Sequence, residues 1–264
     1  MEQITQRVLA GLEKARLAAA EERNLSISTN ASRGIGQLIS LTPNLFDEPW
    51  FKELVGMLAG VDAPELAEDE EAALRRGDLI CMFRYVSDWS PELLANVMHC
   101  AENDPLDENR AFALAAIGLR VKDKVWLQAR FEDPDFETQI MAARLLTEIG
   151  EDPFSIISTL LTRAGDDKEN VGLCCQFIGV VETMPFLIEK LLEFKEPARL
   201  NAVLCIVHAL GRNGLLEPQS KPNLLRVMDP HMVKILAANQ ASGNAEETDY
   251  QLKSLISKCS ALAI

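Results

Sequence analysis

Four segments that each end in an apolar residue followed by glycine constrain the fold of this chain most. They are NRAFALAAIG, ending at Gly118, IMAARLLTEIG at Gly150, NVGLCCQFIG at Gly179 and NAVLCIVHALG at Gly211, spaced 32, 29 and 32 residues apart. That period is the one expected of stacked helical hairpins. Aligned on glycine, the position before it holds Ile117, Ile149, Ile178 and Leu210. Four before stand Leu114, Leu146, Cys175 and Val207, and five before stand Ala113, Leu145, Cys174 and Ile206. These three positions fall on one helix face, so they read as a core stripe, with glycine as the helix terminator. A second helix follows each glycine, over 123–131, 153–163, 184–194 and 222–228, and Pro153 and Pro185 stand at helix starts. Helices are also predicted near 2–23, 30–41, 47–60, 66–87, 91–102, 230–240 and 246–262.

The stretch Asn109 to Gly118 resembles the motif of the HEAT repeat family, especially the HEAT-like repeats of phycobilisome lyases, and Arg110 matches the family's arginine in register. The resemblance implies an all-α fold, a right-handed α-α superhelix (a HEAT/ARM-like solenoid) of about six to seven hairpins. It would run as one domain over 1–264, with atypical leading hairpins in 1–104, the clearest repeats in 105–228 and capping helices in 229–264. In that family the glycine-terminated helix usually lines the concave surface. The positions three before glycine are Ala115, Thr147, Gln176 and His208, so Thr147, Gln176 and His208 are groove candidates, and the motif's arginine, Arg110, is taken with them.

A second local resemblance points elsewhere. TNASRGIG (29–36) resembles the nucleotide-binding turn of the short-chain dehydrogenase/reductase family. Asn30 replaces the motif's first glycine, and LSIS (25–28) is too weakly apolar for a central parallel strand. The family's Tyr-x-x-x-Lys is missing: four residues after Tyr85 stands Trp89, and after Tyr250 stands Ser254. The segment reads instead as a helix start capped by Ser28, Thr29, Asn30 or Ser32, with Ile35, Leu38, Ile39 and Leu41 at helical spacing. A helix start beside Arg33 is a candidate anion site. Gly34 and Gly36 are explained either by close helix packing or by such an anion.

Six cysteines are scattered through apolar helical segments, which points to a reduced, cytoplasmic protein. Cys174 and Cys175 occupy the core stripe, where thiols act as small hydrophobes. Cys205 and His208 share a helix face but find no second pair, while His99 and Cys100 point two ways, so no metal site is expected. Glu137, Arg144 and Glu148 share a face, with Arg144 and Glu148 spaced to pair. The acidic run 64–76 reads as a solvated helix with carboxylates in its first turns, or as a dock for a basic partner.

The chain holds 40 acidic and 26 basic residues, a net charge of −14. Such a chain repels nucleic acid, and its longest apolar run is too short to span a membrane. Nothing assembles a nucleophile, a base and an oxyanion donor, which points away from an enzyme, and no cofactor is implied. The leading expectation is a non-enzymatic interaction scaffold or adaptor whose partner is a protein or peptide, a basic one being favoured by charge. The family resemblance offers a second reading, a bilin lyase or bilin chaperone of the HEAT-repeat type. A HEAT-like DNA glycosylase fold ranks below it because of the charge.

Overall fold

Aspartate opens many of the helices. In the computed structural model, Asp69, Asp123, Asp135, Asp152 and Asp167 hold extended backbone, and each side chain accepts an N–H of the first helical turn. A carboxylate there satisfies orphan donors and meets the positive end of the helix dipole, so part of the chain's acidity serves its fold. Pro49, Pro91 and Pro153 occupy first turns, where a missing N–H costs nothing.

The structure describes residues 2–62, 69–175, 177, 186, 187 and 190. Among them are ten α-helices and three short 3-10 segments, and no strand. The helices are α1 (Glu2–Glu21), α2 (Leu25–Ile39), α3 (Pro49–Gly56), α4 (Glu70–Phe83) and α5 (Pro91–Asn103). They continue with α6 (Asp107–Ile117), α7 (Lys124–Phe131), α8 (Phe136–Glu148), α9 (Pro153–Ala164) and α10 (Lys168–Cys174). The expected helices in 184–194, 222–228, 230–240 and 246–262 lie wholly or mostly outside the described residues, as do Gly179, Gly211, Cys205 and Tyr250.

The chain divides into two compact units, Met1–Ile149 and Gly150–Ile264. In the first, sequence neighbours pack as hairpins, α1 on α2, α5 on α6 and α7 on α8. Every second helix also packs on the next: α2 on α4, α4 on α6 and α6 on α8, with α1 on α3 and α3 on α5 behind them. These contacts enclose a helical core. Phe51, Leu54, Leu79, Ile80, Met82, Phe83, Leu93, Leu114 and Ile117 are buried in it, and the Phe51 and Phe83 rings meet edge to face at 5.7 Å. In the second unit α9 packs on α10, and Phe154 meets Phe186 at 5.6 Å.

The core stripe takes the predicted positions. Ala113, Leu114, Ile117, Leu145, Leu146, Cys174 and Cys175 are buried, while Ile149 is half-buried. Gly118 closes α6 and Gly150 follows α8, with φ of +52° and +101°, a region that strains other L residues. The helix expected near 30–41 begins earlier. It starts at Leu25, capped by Asn24, whose side chain accepts the Ser26 N–H at 3.1 Å. Ser28, Thr29, Asn30 and Ser32 are therefore interior residues, and Thr29 spends its hydroxyl on the Leu25 carbonyl at 3.1 Å.

Gly36 sits where α2 crosses α4. A methyl group there would stand 2.5 Å from the Met82 carbonyl oxygen and 3.0 Å from the Tyr85 Cβ. Close helix packing thus accounts for Gly36. It does not account for Gly34, where an added methyl meets nothing within 4 Å.

Candidate functional site

Two Asp-Pro turns, at Asp104-Pro105 and Asp133-Pro134, show how the polar residues of the first unit are used. Asp104 accepts the Leu106 N–H at 3.1 Å, and Asp133 accepts that of Asp135 at 2.9 Å. Each carboxylate also receives an arginine from a helix earlier in the chain. Arg76 on α4 reaches Asp104, and Arg110 on α6 reaches Asp133 with Nε at 3.0 Å and Nη2 at 2.9 Å. Arg110 further donates Nη1 to the Asp104 carbonyl at 2.9 Å and Nη2 to Asp107 at 2.6 Å. Burial alone pulls the Arg110 pKa down, but its bonds and charge contacts with Asp133 and Asp107 outweigh that and raise it.

Arg110 is therefore a turn-holding residue, only 8% exposed, with its guanidinium occupied by internal acceptors. Gln139 repeats part of that role one turn later, donating Nε2 to the Asp133 carbonyl at 2.7 Å. Thr147 is half-buried and gives its hydroxyl to the Ala143 carbonyl at 3.0 Å. Gln176 and His208 lie outside the described residues.

The remaining candidates also resolve into places. Glu70 and Glu71, from the acidic run, lie in the first turn of α4 behind the Asp69 cap. Arg144 and Glu148 are exposed, and no ion pair joins them; Glu137 is half-buried beside Asp135 and Glu108. Cys100 is buried with its Sγ 3.5 Å from the Leu58 carbonyl, while His99 Nδ1 lies 3.1 Å from Asn103 Nδ2, so the adjacent pair does diverge. Burial pushes the Cys174 thiol up to about 12, and Cys175 lies 3.7 Å from the Val171 carbonyl. Among the described residues, no group of three or more His, Cys, Asp or Glu is placed to hold a metal ion. No helix among them is long and apolar enough to cross a membrane.

Arg33 lies in the body of α2, eight residues beyond Leu25, so the helix N-terminus that an anion site there required is at Leu25 instead. Its guanidinium carbon stands 5.4 Å from the Tyr85 ring centroid, and that of Arg84 stands 5.9 Å from the same ring. Both arginines are exposed, and neither meets a carboxylate among the described residues. Beside them the Ser87 N–H reaches the Ser40 hydroxyl at 3.2 Å, tying the end of α2 to the turn after α4. Arg120 lies over Trp89 at 4.5 Å and donates to the Val86 carbonyl at 3.3 Å. The sequence reading missed this arginine-aromatic edge. Its only local signal was Arg84 next to one of just two tyrosines.

Compared with known proteins, the chain matches no family model, no curated protein and no solved structure.

Proposed function

We propose that the chain is a non-enzymatic scaffold or adaptor that holds a protein or peptide partner on the surface of a HEAT-like α-solenoid. The observation that carries this reading is the alternating neighbour pattern of the first unit. The helices α2, α4, α6 and α8 pack in series, and arginine-aspartate pairs recur along that series at Arg76–Asp104 and Arg110–Asp133. Arrays of this kind present rows of equivalent positions, which suits them to extended recognition surfaces. The polar groups with the most marked chemistry are already used inside the fold. Aspartates cap helices, arginines hold turns, and Cys100, Cys174 and Cys175 are buried thiols outside any disulfide, in keeping with a cytoplasmic setting. A net charge of −14 favours basic partners over most of the surface and disfavours nucleic acid.

The test is affinity purification from native cells with quantitative mass spectrometry. A recurrent stoichiometric partner is expected. Recovery of the chain alone, at native abundance and low salt, would overturn the proposal.

A further inference from the structure

Between Asn24 and Phe46 this chain carries a single charged residue, Arg33, although a quarter of all its residues are charged. The run contains α2, and the outward side of that helix is unusual for so acidic a protein. Asn30, Gly34 and Leu38 follow one another on one side at helical spacing, as do Arg33 and Gln37, and Leu41 continues both rows just past the helix end. All six are exposed, with Leu38 at 69% and Leu41 at 77%. Exposed leucine in a stretch of chain that holds no acidic residue, edged by arginine and tyrosine, has the composition of an interface, with the exposed Asp88 lying just beyond Ser87 at its rim.

We propose that this face of α2 docks an acidic amphipathic segment of another protein. The inference rests on the scaffold reading and names one of its partner sites. Leu38 and Leu41 supply the apolar contact. Arg33 and Arg84, gathered around Tyr85, take the partner's carboxylates. The two guanidinium carbons stand 5.4 and 5.9 Å from the same ring centroid, which favours a ligand carrying more than one negative group. Gly34 supplies the approach. Glycine weakens a helix interior relative to alanine, and no internal neighbour of Gly34 requires it. A surface notch that lets a partner side chain reach the α2 backbone gives that glycine a use. Charge selects the occupant: a basic segment would be repelled here, and two copies of this chain paired through α2 would bring together two faces whose only charge is arginine.

The probe is a labelled synthetic amphipathic helix with leucines on one face flanked by glutamates, titrated onto the full chain by fluorescence anisotropy. Its counterpart with lysine in place of glutamate and phosphatidylserine vesicles complete the set. The glutamate peptide is expected to bind, more weakly as salt rises, and the lysine peptide is not. Arg33→Glu with Arg84→Glu should weaken binding about tenfold or more. Leu38→Ser with Leu41→Ser should weaken it comparably. Gly34→Gln should weaken binding while raising Tm, a combination that a purely structural role for Gly34 does not produce. Equal binding of both peptides, binding of neither, indifference to these substitutions, or binding to vesicles alone overturns the proposal. A native partner recovered equally by wild type and by the Arg33→Glu/Arg84→Glu chain overturns this site and leaves the scaffold reading standing.

Discussion

Arg76 holds Asp104 through two contacts, Nε to Oδ2 at 2.9 Å and Nη2 to Oδ1 at 3.3 Å, with the two side chains only 2% and 0% exposed. The pair joins α4 to the turn ahead of α6, deep in the core. Removing one partner strands the other charge away from water. Arg76→Met or Asp104→Leu alone should therefore lower the unfolding free energy by about 3–5 kcal/mol. Replacing both at once, Arg76→Met with Asp104→Leu, should cost much less than the two losses added together. Urea denaturation of the four proteins measures this, and simple additivity would show that the pair does not act as a unit.

Two glycines should behave oppositely to what helix propensity alone suggests. A methyl group at Gly36 would press on the Met82 carbonyl oxygen at 2.5 Å, and one at Gly77 would overlap the Asn109 side-chain oxygen. The second has little freedom to yield, because Asn109 is buried and donates to the Ala73 carbonyl at 2.8 Å. Gly36→Ala and Gly77→Ala should each destabilise by about 1–3 kcal/mol through overpacking. Gly34→Ala, with open space around it, should stabilise by about 0.5–1 kcal/mol. Thermal melts that fail to separate these signs would refute the packing account of Gly36.

Gly118, Gly150 and the stripe Ala113, Leu114 and Ile117 were legible in the sequence because each depends on local rules. Glycine supplies a positive φ, and apolar spacing fixes a buried face. The start of α2 was not legible. Asn24, Ser26, Ser28, Thr29 and Asn30 all qualify as caps, and the choice falls to the packing of Ser32, Gly36 and Ile39. The turn contacts of Arg110 were not legible for another reason. Its partner Asp133 lies 23 residues away, and spacing does not say whether a long side chain faces a groove or folds over a turn. Alignment on glycine also hid the kinship of the Asp-Pro turns, since Gly150 follows Asp133 at a longer interval than Gly118 follows Asp104. In that turn register Arg110 matches Gln139, and both bond the carbonyl of their own Asp-Pro aspartate.

The half-buried Cys81 and the buried Cys174 give a chemical readout of the native packing. Burial, with Asp78 adding and Arg84 opposing, pushes the Cys81 thiol from 9.0 up to about 12, and burial does the same to Cys174. Alkylation by iodoacetamide at pH 8, mapped residue by residue by mass spectrometry, should be far slower at both in the native protein than in urea. The linkage has a definite sign. Above pH 9 the unfolded thiols lose protons that the folded ones keep, so stability should fall progressively between pH 9 and about 12. Replacing both with alanine should flatten that part of the stability profile, and an unchanged slope would count against it.

Glu137 should respond at the acid end. Its half-buried carboxyl is raised above 4.5 first by loss of water, then by the negative charges of Asp135 and Glu108. A raised folded pKa means that ionised Glu137 is disfavoured in the fold. The penalty is absent well below 4.5, grows as pH rises past that value, and is complete above the folded pKa. Glu137→Gln removes a charge that the site disfavours and keeps the shape. The variant should be more stable than wild type at pH 7, and the difference should shrink as pH falls through the carboxylate range. Asp135→Asn would also remove a neighbouring charge, but it alters the α8 cap, whose oxygen accepts the Thr138 N–H at 2.7 Å, so Glu108→Gln is the cleaner partner substitution. With Glu108 neutralised, the gain from Glu137→Gln should be smaller. Denaturation midpoints of the single and double variants at pH 4 and pH 7 decide it, and a gain that persists undiminished at the lower pH would rule out an ionisation effect.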